Sequence, residues 1–309
     1  MAPRLGLGSG VTANPASGLF AAAPLLLDSY PNAHRAYSVR KLRTDYEGYA
    51  MKVREGSGMN YTNDIAFDDD GRVSLDSKIY NRSDSGTNGV TLGSYLTGYS
   101  NPDLMVTTWY DQSGEGSNAL QPTTTKQPKL FNGGSLVTAG DPARAGLLFS
   151  GSAWSGQQLL VDEAGLSLGS ITAFSVLKHS QTSSKAYPWI LSQASPYFSH
   201  YVNSDADIYA YDADNTTITD PATTDQRMFS YRGLPGAQVM YTDGEASSAT
   251  GTSVATTALA DNAANGMGAW YGVMYFWAGT FQEFIVYDSD QTSNRSDIEA
   301  NIDAEFEIT

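Results

Sequence analysis

Thr107-Thr108-Trp109-Tyr110-Asp111-Gln112-Ser113-Gly114 follows directly on the apolar run Leu104-Met105-Val106. Its chemistry is that of a buried strand that ends in two large aromatics and then turns sharply. Asp and Ser at a strand end hydrogen-bond nearby backbone, and Gly supplies dihedrals that other residues avoid. A segment of this kind lies either beneath a binding site or at the corner of a β-sandwich. Asx-type turn bonding explains the Asp-Gln-Ser-Gly order without a ligand. Asp111 is therefore expected to bond local backbone, and Trp109 and Tyr110 are expected in the core and at the corner.

Working outward, the C-terminal half reads as a succession of strands. The predicted strands are Gly146–Phe149, Leu159–Asp162, Ile171–His179, Trp189–Gln193, Tyr197–Asn203, Ile208–Tyr211, Arg227–Tyr231, Val239–Asp243, Met267–Tyr271 and Thr280–Tyr287. Their spacing is that of an antiparallel sandwich, so the fold class is all-β. Asp243-Gly244 predicts a hairpin turn. Ile298, Ile302 and Phe306 recur four apart and predict a C-terminal helix capped by Ser293 or Asn294. In the N-terminal part, Ala33, Ala36, Tyr37, Val39 and Leu42 sit at roughly helical spacing, so a helix is expected over 31–43. Tyr49 to Arg54 alternates like a strand, and Ser94 to Gly98 suits one short helical turn. Residues 1–30 read as an anchoring arm of Gly, Ser, Pro and small apolar residues, and 31–309 as one domain. Free termini fray, so the arm is expected to be held by a neighbouring molecule.

The chain has 309 residues, 30 Gly, 19 Tyr, no Cys and a formal net charge of -15. That charge argues against a nucleic-acid partner, which needs clustered Lys and Arg. The lack of Cys excludes disulfides and thiolate metal sites. No apolar run reaches the ~18 residues of a membrane span, so no membrane partner is expected. The apolar stretch from Leu19 to Leu27 is interrupted by Pro24 and preceded only by Arg4, so no secretory signal is expected.

Ala36-Tyr37-Ser38-Val39-Arg40-Lys41-Leu42-Arg43, then Tyr49 to Arg54, then Trp109 to Gly114 with Asn118, Ala119 and Gln121, resembles the catalytic domain of family 54 arabinofuranosidases. Gly279-Thr280-Phe281-Gln282-Glu283 and Ser293 to Phe306 resemble that family's last strand and closing helix. The same constellation resembles concanavalin A-like domains of bacteriophage structural proteins, which the Ala36–Arg43 segment and the arm around Pro3 to Gly8 match better. The resemblance implies a two-sheet jelly roll with short helices near the N-terminus and a C-terminal helix.

Retaining glycosidases need two carboxylates about 5–5.5 Å apart. The resemblance places the nucleophile in an Asp-x-Glu-Asn context, and the nearest match is Asp212-Ala213-Asp214-Asn215, whose third residue is one methylene shorter. The acid/base is implied by a Gly-Gly-Asp-Asn context before the last strand. Here aromatics from Met267 to Ala278 fill that interval, and Asp261-Asn262 lies further upstream. The vicinal cysteines implied for the hydrolase site are excluded, since the chain has no Cys. Asp212 and Asp214 therefore read as a solvated turn, and the expectation is a chain that is not an enzyme.

Asp68-Asp69-Asp70-Gly71 lacks the downstream Glu of a calcium loop, and Asp205, Asp207, Asp212 and Asp214 form a second loose oxygen cluster. His34, His179 and His200 have no zinc spacing, so neither metal nor cofactor is expected. Trp270-Tyr271 and Tyr275-Phe276-Trp277 form an aromatic band. Consecutive aromatics on a strand cannot all point inward, so at least one is expected to be exposed. Trp270, Tyr271, Tyr275 and Trp277 are the candidates for stacking on carbohydrate or for a subunit contact. Tyr187, Trp189, Tyr197, Tyr201, Tyr209 and Tyr211 extend that surface. The combined expectation is a virion structural protein of a bacteriophage: a capsid decoration, knob or tail-fibre component. It would assemble as a homo-oligomer, contact other virion proteins through residues 1–30, and offer a surface for host glycan. A carbohydrate-binding adhesin and an arabinofuranosidase are the alternatives.

Overall fold

The computed structural model describes residues 24–308, apart from 57–61, 82–87, 99–101, 153, 162–165, 167–169, 181–183, 192–197, 204–206, 212–217, 235–236, 248–264 and 271–273. Most of the expected arm, together with Tyr271, Asp205, Asp212, Asp214 and Asp261, therefore lies outside the described residues. In chain order the strands are β1 (Arg35–Ser38), β2 (Met51–Glu55), β3 (Thr62–Ile65), β4 (Lys78–Asn81), β5 (Val90–Thr91), β6 (Leu104–Trp109), β7 (Ala119–Leu120) and β8 (Lys129–Asn132). They continue with β9 (Ser135–Leu136), β10 (Thr138–Ala139), β11 (Arg144–Ala145), β12 (Leu147–Phe149), β13 (Leu159–Leu160), β14 (Ile171–His179), β15 (Ala186–Ile190), β16 (Ser199–Val202) and β17 (Asp207–Tyr211). The remainder are β18 (Ile218–Pro221), β19 (Gln226–Leu234), β20 (Ala237–Thr242), β21 (Glu245–Ala246), β22 (Gly266–Met267) and β23 (Gly279–Tyr287). Among the described residues three α-helices accompany them: α1 (Leu26–Ser29), α2 (Leu92–Leu96) and α3 (Arg295–Phe306).

All the strand pairings are antiparallel. One stack runs β21–β20–β19–β14–β23, with β1 and β12 sharing the far edge of β23. The other runs β18–β17–β16–β15–β22–β13–β7–β6–β2–β3–β4–β5. Strand β8 pairs with both β6 and β12 and joins the two stacks. The result is an all-β sandwich, as the strand pattern predicts.

Packing explains which sequence patterns were readable. Every residue of β23 is buried, and so is all of β14 except Lys178. Tyr37, Phe281 and Phe284 fill the space between the stacks with Trp109, Trp189 and Trp277. The helix α3 packs beside β19 and buries Ile298, Ile302 and Phe306, so the first stack is covered on both sides. Burial on both faces removes the apolar/polar alternation of a one-sided strand, and the polar Thr172, Ser175, Gln282 and Glu283 are buried with their apolar neighbours. The Asp-Gly hairpin forms between β20 and β21, with Asp243 at φ 51° and Gly244 at φ 84°. Two consecutive positive φ values define the primed turn that suits strand twist.

The helix expected over 31–43 does not form. Residues 35–38 are β1, with all four buried and Arg35 to Ser38 paired to Val286 to Glu283. Because β1 is covered on both sides, its apolar residues do not alternate, and the pattern mimics helical spacing. The short N-terminal helix is α1 instead. Leu26 and Leu27 are buried, Leu27 N–H donates to the Leu42 carbonyl at 2.7 Å, and the Tyr287 hydroxyl donates to the Tyr30 carbonyl at 2.8 Å. Residues 24–30 are thus docked on the domain. No helix among the described residues is long and apolar enough to cross a membrane.

Candidate functional site

The Trp109–Gly114 segment and the Ala36–Arg43 segment, quoted separately above, form one hydrogen-bonded unit. Trp109 is fully buried and its indole donates to the Ser38 carbonyl at 3.1 Å. The Asp111 carboxylate accepts from the Ala36 N–H at 2.9 Å, the Ser113 N–H at 3.0 Å, the Ser113 hydroxyl at 2.6 Å and the Ser117 N–H at 3.2 Å. Gln112 accepts from the Leu42 N–H at 2.8 Å and donates to the Arg40 carbonyl at 2.9 Å. Gly114, at φ 102°, lies under Arg43, whose guanidinium donates to the Ser113 carbonyl at 3.1 Å. Tyr110 donates to Asp64 at 2.6 Å. With four donors on Asp111, this motif is a staple between β1 and the turn after β6.

Glu283, the carboxylate in the last strand, is equally committed. It is fully buried and binds the Arg40 guanidinium through two bonds of 2.8 and 3.0 Å, with the Ser38 hydroxyl at 2.6 Å. Arg40 continues to the Asn301 side chain at 2.9 Å and stands 5.7 Å over the Phe306 ring. This network lies in the helix-covered layer.

The aromatic candidates separate sharply. Trp277 is fully buried between Phe149, Phe281 and His179, and its indole donates to His179 Nδ1 at 2.9 Å. It has no face to offer a ligand, which corrects its candidacy. Phe276 is buried as well. Period-two alternation does not govern this segment, because it is not a strand and Tyr275 sits at φ 52°. Trp270 and Tyr275 are half-buried, joined through an isolated bridge between Trp270 and Met274. They meet Tyr187, whose ring lies 4.5 Å from Trp270, 6.3 Å from Tyr275 and, stacked, 5.0 Å from Tyr201. Trp189, by contrast, packs inward on Phe284 at 5.3 Å.

The sequence reading missed Lys185. Its side chain stands over all four rings, with Nζ 5.1 Å from the Tyr275 centroid, 5.5 Å from Tyr201, 5.8 Å from Tyr187 and 6.0 Å from Trp270. Partial burial lowers its pKa. A cation–ring contact at an exposed site is worth roughly 0.5–1 kcal/mol. An isolated Lys after a Ser-rich stretch carries no sequence signal of this. Tyr187 and Tyr201 are buried, so of these rings only the half-buried Trp270 and Tyr275 present surface, beside the exposed Lys185 and with Tyr187 and Tyr201 packed behind them. Flat aromatic faces beside a hydrogen-bond donor suit the apolar face and hydroxyls of a sugar ring.

Two clefts complete the surface. One of about 410 Å³ is lined by Arg54, Thr62, Thr107, Thr108, Leu120 and Gln121 among others, and Arg54 is tied to Gln127, Thr124 and Glu55. The other, about 530 Å³, contains Asp68, Asp69, Asp70 and Asp76. Asp68 accepts from Asp70 N–H, Arg72 N–H and the Ser74 hydroxyl, so it shapes a turn. No metal-ligating cluster occurs among the described residues.

No family model matches the sequence, and no curated protein matches it. Among solved structures, the chain is similar to a mutant family 54 α-L-arabinofuranosidase soaked with 4-nitrophenyl α-L-arabinofuranoside, with TM-score 0.60 and 14% identity over 91% of this chain. It is also similar to an arabinofuranosidase complexed with arabinofuranosyl-α-1,2-xylobiose, with TM-score 0.60 and 16% identity over 91% of this chain. The chain spans 64% of the length of each of these structures. The fold is therefore arabinofuranosidase-like. This overturns the expectation of a chain that is not an enzyme: its architecture is that of glycosidases.

Proposed function

We propose that this chain is a carbohydrate-directed protein that engages a glycan on a platform formed by the half-buried rings of Trp270 and Tyr275 beside Lys185, with the buried Tyr187 and Tyr201 supporting them from behind. The observation that carries the reading is that two half-buried rings, Trp270 and Tyr275, lie within 6.0 Å of the exposed Lys185 ammonium and rest on the buried Tyr187. Trp270 and Tyr275 supply stacking faces, and the ammonium supplies a donor to sugar hydroxyls. A glycan array probed with the wild-type chain and with Tyr275→Ala tests it. Binding that the variant loses supports the reading, and an array without binders refutes it.

The arabinofuranosidase-like fold favours a hydrolytic step as the second reading. Asp212, Asp214 and Asp261 are then the carboxylates to examine, since the chemistry needs a pair about 5–5.5 Å apart. Release of nitrophenol from 4-nitrophenyl α-L-arabinofuranoside, lost in Asp214→Ala, would establish it.

The resemblance of Ala36–Arg43 and of the arm to bacteriophage proteins supports a virion setting, with glycan engagement serving host attachment. In that setting residues 1–30 contact other virion proteins, and the domain assembles with copies of itself. Deleting residues 1–23 is then expected to abolish incorporation into particles, and unchanged incorporation would refute the virion setting.

A further inference from the structure

Trp154 exposes 73% of its surface, the most of any large apolar side chain among the described residues. Leaving a Trp in water forgoes about 25 cal/mol for each Å² that could be buried. The described residues on either side of it are hydrogen-bonded. Ser152 N–H donates to the Ser155 carbonyl at 2.7 Å, and Gln158 N–H donates to the Lys126 carbonyl at 2.8 Å. Phe276 N–H donates to the Ser152 carbonyl at 3.1 Å, which ties the loop to the residue after Tyr275. A Cβ on Gly151 would lie 2.4 Å from the Trp277 carbonyl oxygen, and one on Gly156 would lie 2.7 Å from Gly151 Cα. Only Gly fits at either place, so the loop is pressed against the same segment that carries the platform.

We propose that Trp154 is a second sugar-stacking residue, and that the ligand is an extended oligosaccharide chain that reaches from the platform to Trp154. This rests on the glycan reading of the platform. Trp154 offers a broad apolar face with only two side-chain torsions to fix on binding, so ordering it costs little entropy for a stacking contact. The exposed Ser152 and Ser155 hydroxyls, 3.1 Å from each other, lie beside it and retain further hydrogen-bonding capacity for sugar hydroxyls. Lys126, 5.8 Å over the Phe276 ring, places a cation on the side of that segment.

The test is calorimetric titration with soluble arabinoxylan and with arabinofuranosyl-xylobiose, using the wild-type chain, Trp154→Ala, Trp154→Phe and Tyr275→Ala. Trp154→Ala is expected to weaken arabinoxylan binding about tenfold, the scale of one lost aromatic anchor. It should leave the short oligosaccharide unchanged, and Trp154→Phe should restore most of the loss. An exposed substitution of this kind should not affect folding. Binding that Tyr275→Ala loses and Trp154→Ala keeps overturns this inference and leaves the platform reading standing. No wild-type binding to either probe overturns both. A Trp154→Ala effect on self-association alone, read by sedimentation, assigns Trp154 to a protein contact and overturns the inference.

Discussion

Acidification from pH 7 to 5 is expected to destabilise the fold through two buried histidines. His179 and His200 are both buried, their rings 5.7 Å apart among Trp277, Trp189 and Phe229. Burial pushes His179 down from 6.5 to about 3, and it holds His200 well below its usual range, with the neighbouring His179 adding to the effect. There is a local reason as well. His179 Nδ1 accepts the Trp277 indole N–H at 2.9 Å, so a proton there would set donor against donor. Neither Nε2 finds a partner among the described residues. A histidine with a depressed folded pKa binds its proton in the unfolded chain first. Its stability contribution is complete above the unfolded value of 6.5 and is lost as pH falls toward about 3. One pH unit is worth about 1.4 kcal/mol per proton, so His179 alone costs about 2 kcal/mol at pH 5. His200 acts in the same direction, as does His34, lowered by burial and by Arg35. Asp28, held low by the Thr44 hydroxyl, and Asp45, held low by the Arg43 guanidinium, start from 3.8 and lose their contribution only below that window. Urea unfolding at pH 7, 6 and 5 reads the slope, and His179→Gln should reduce it by about one proton. A wild-type unfolding free energy that stays constant across the window, or a slope unchanged in both His179→Gln and His200→Gln, would refute the reasoning.

Asp111→Ala removes the acceptor of three N–H groups and one hydroxyl at a buried position, and should cost about 3 kcal/mol or more in urea unfolding; a cost below 1 kcal/mol would deny the staple. Glu283→Gln leaves the Arg40 guanidinium buried beneath α3 without its counter-charge, and about 3–5 kcal/mol should be lost. In that variant the double change with Arg40→Met should recover part of the loss, and a double-mutant cycle with no coupling would count against the pairing.

Much of the sandwich was legible because local chemistry and tertiary demand agreed. Ile171–His179 reads as a strand and is one: β-branched and aromatic residues run through it, and the small polar Thr172 and Ser175 are buried with them. Asp243-Gly244 reads as a tight turn because few residues other than Gly and Asp tolerate its two positive φ values. The helix α3 shows its Ile298, Ile302 and Phe306 stripe directly. Where the two disagreed, the tertiary structure won. Strand β1 carries helical spacing but is held by β23, and Trp277 belongs to an aromatic band but is drawn into the core by His179.

By itself, then, the sequence determined the fold class, the principal strands, the closing helix and the turn chemistry after Trp109, all of which depend on residues close in the chain. Only the tertiary structure decided which polar and aromatic groups meet. Asp111 reaches Ala36 across 75 positions, Trp277 reaches His179 across 98, and Glu283 reaches Arg40 across 243. Lys185 lies over Trp270 and Tyr275 only because β15 and the residues of the Trp270–Met274 bridge come together, with Tyr187 N–H donating to the Tyr275 carbonyl at 3.1 Å. Strand order sets those meetings, and strand order is fixed by long-range pairing and burial, which local propensity does not encode.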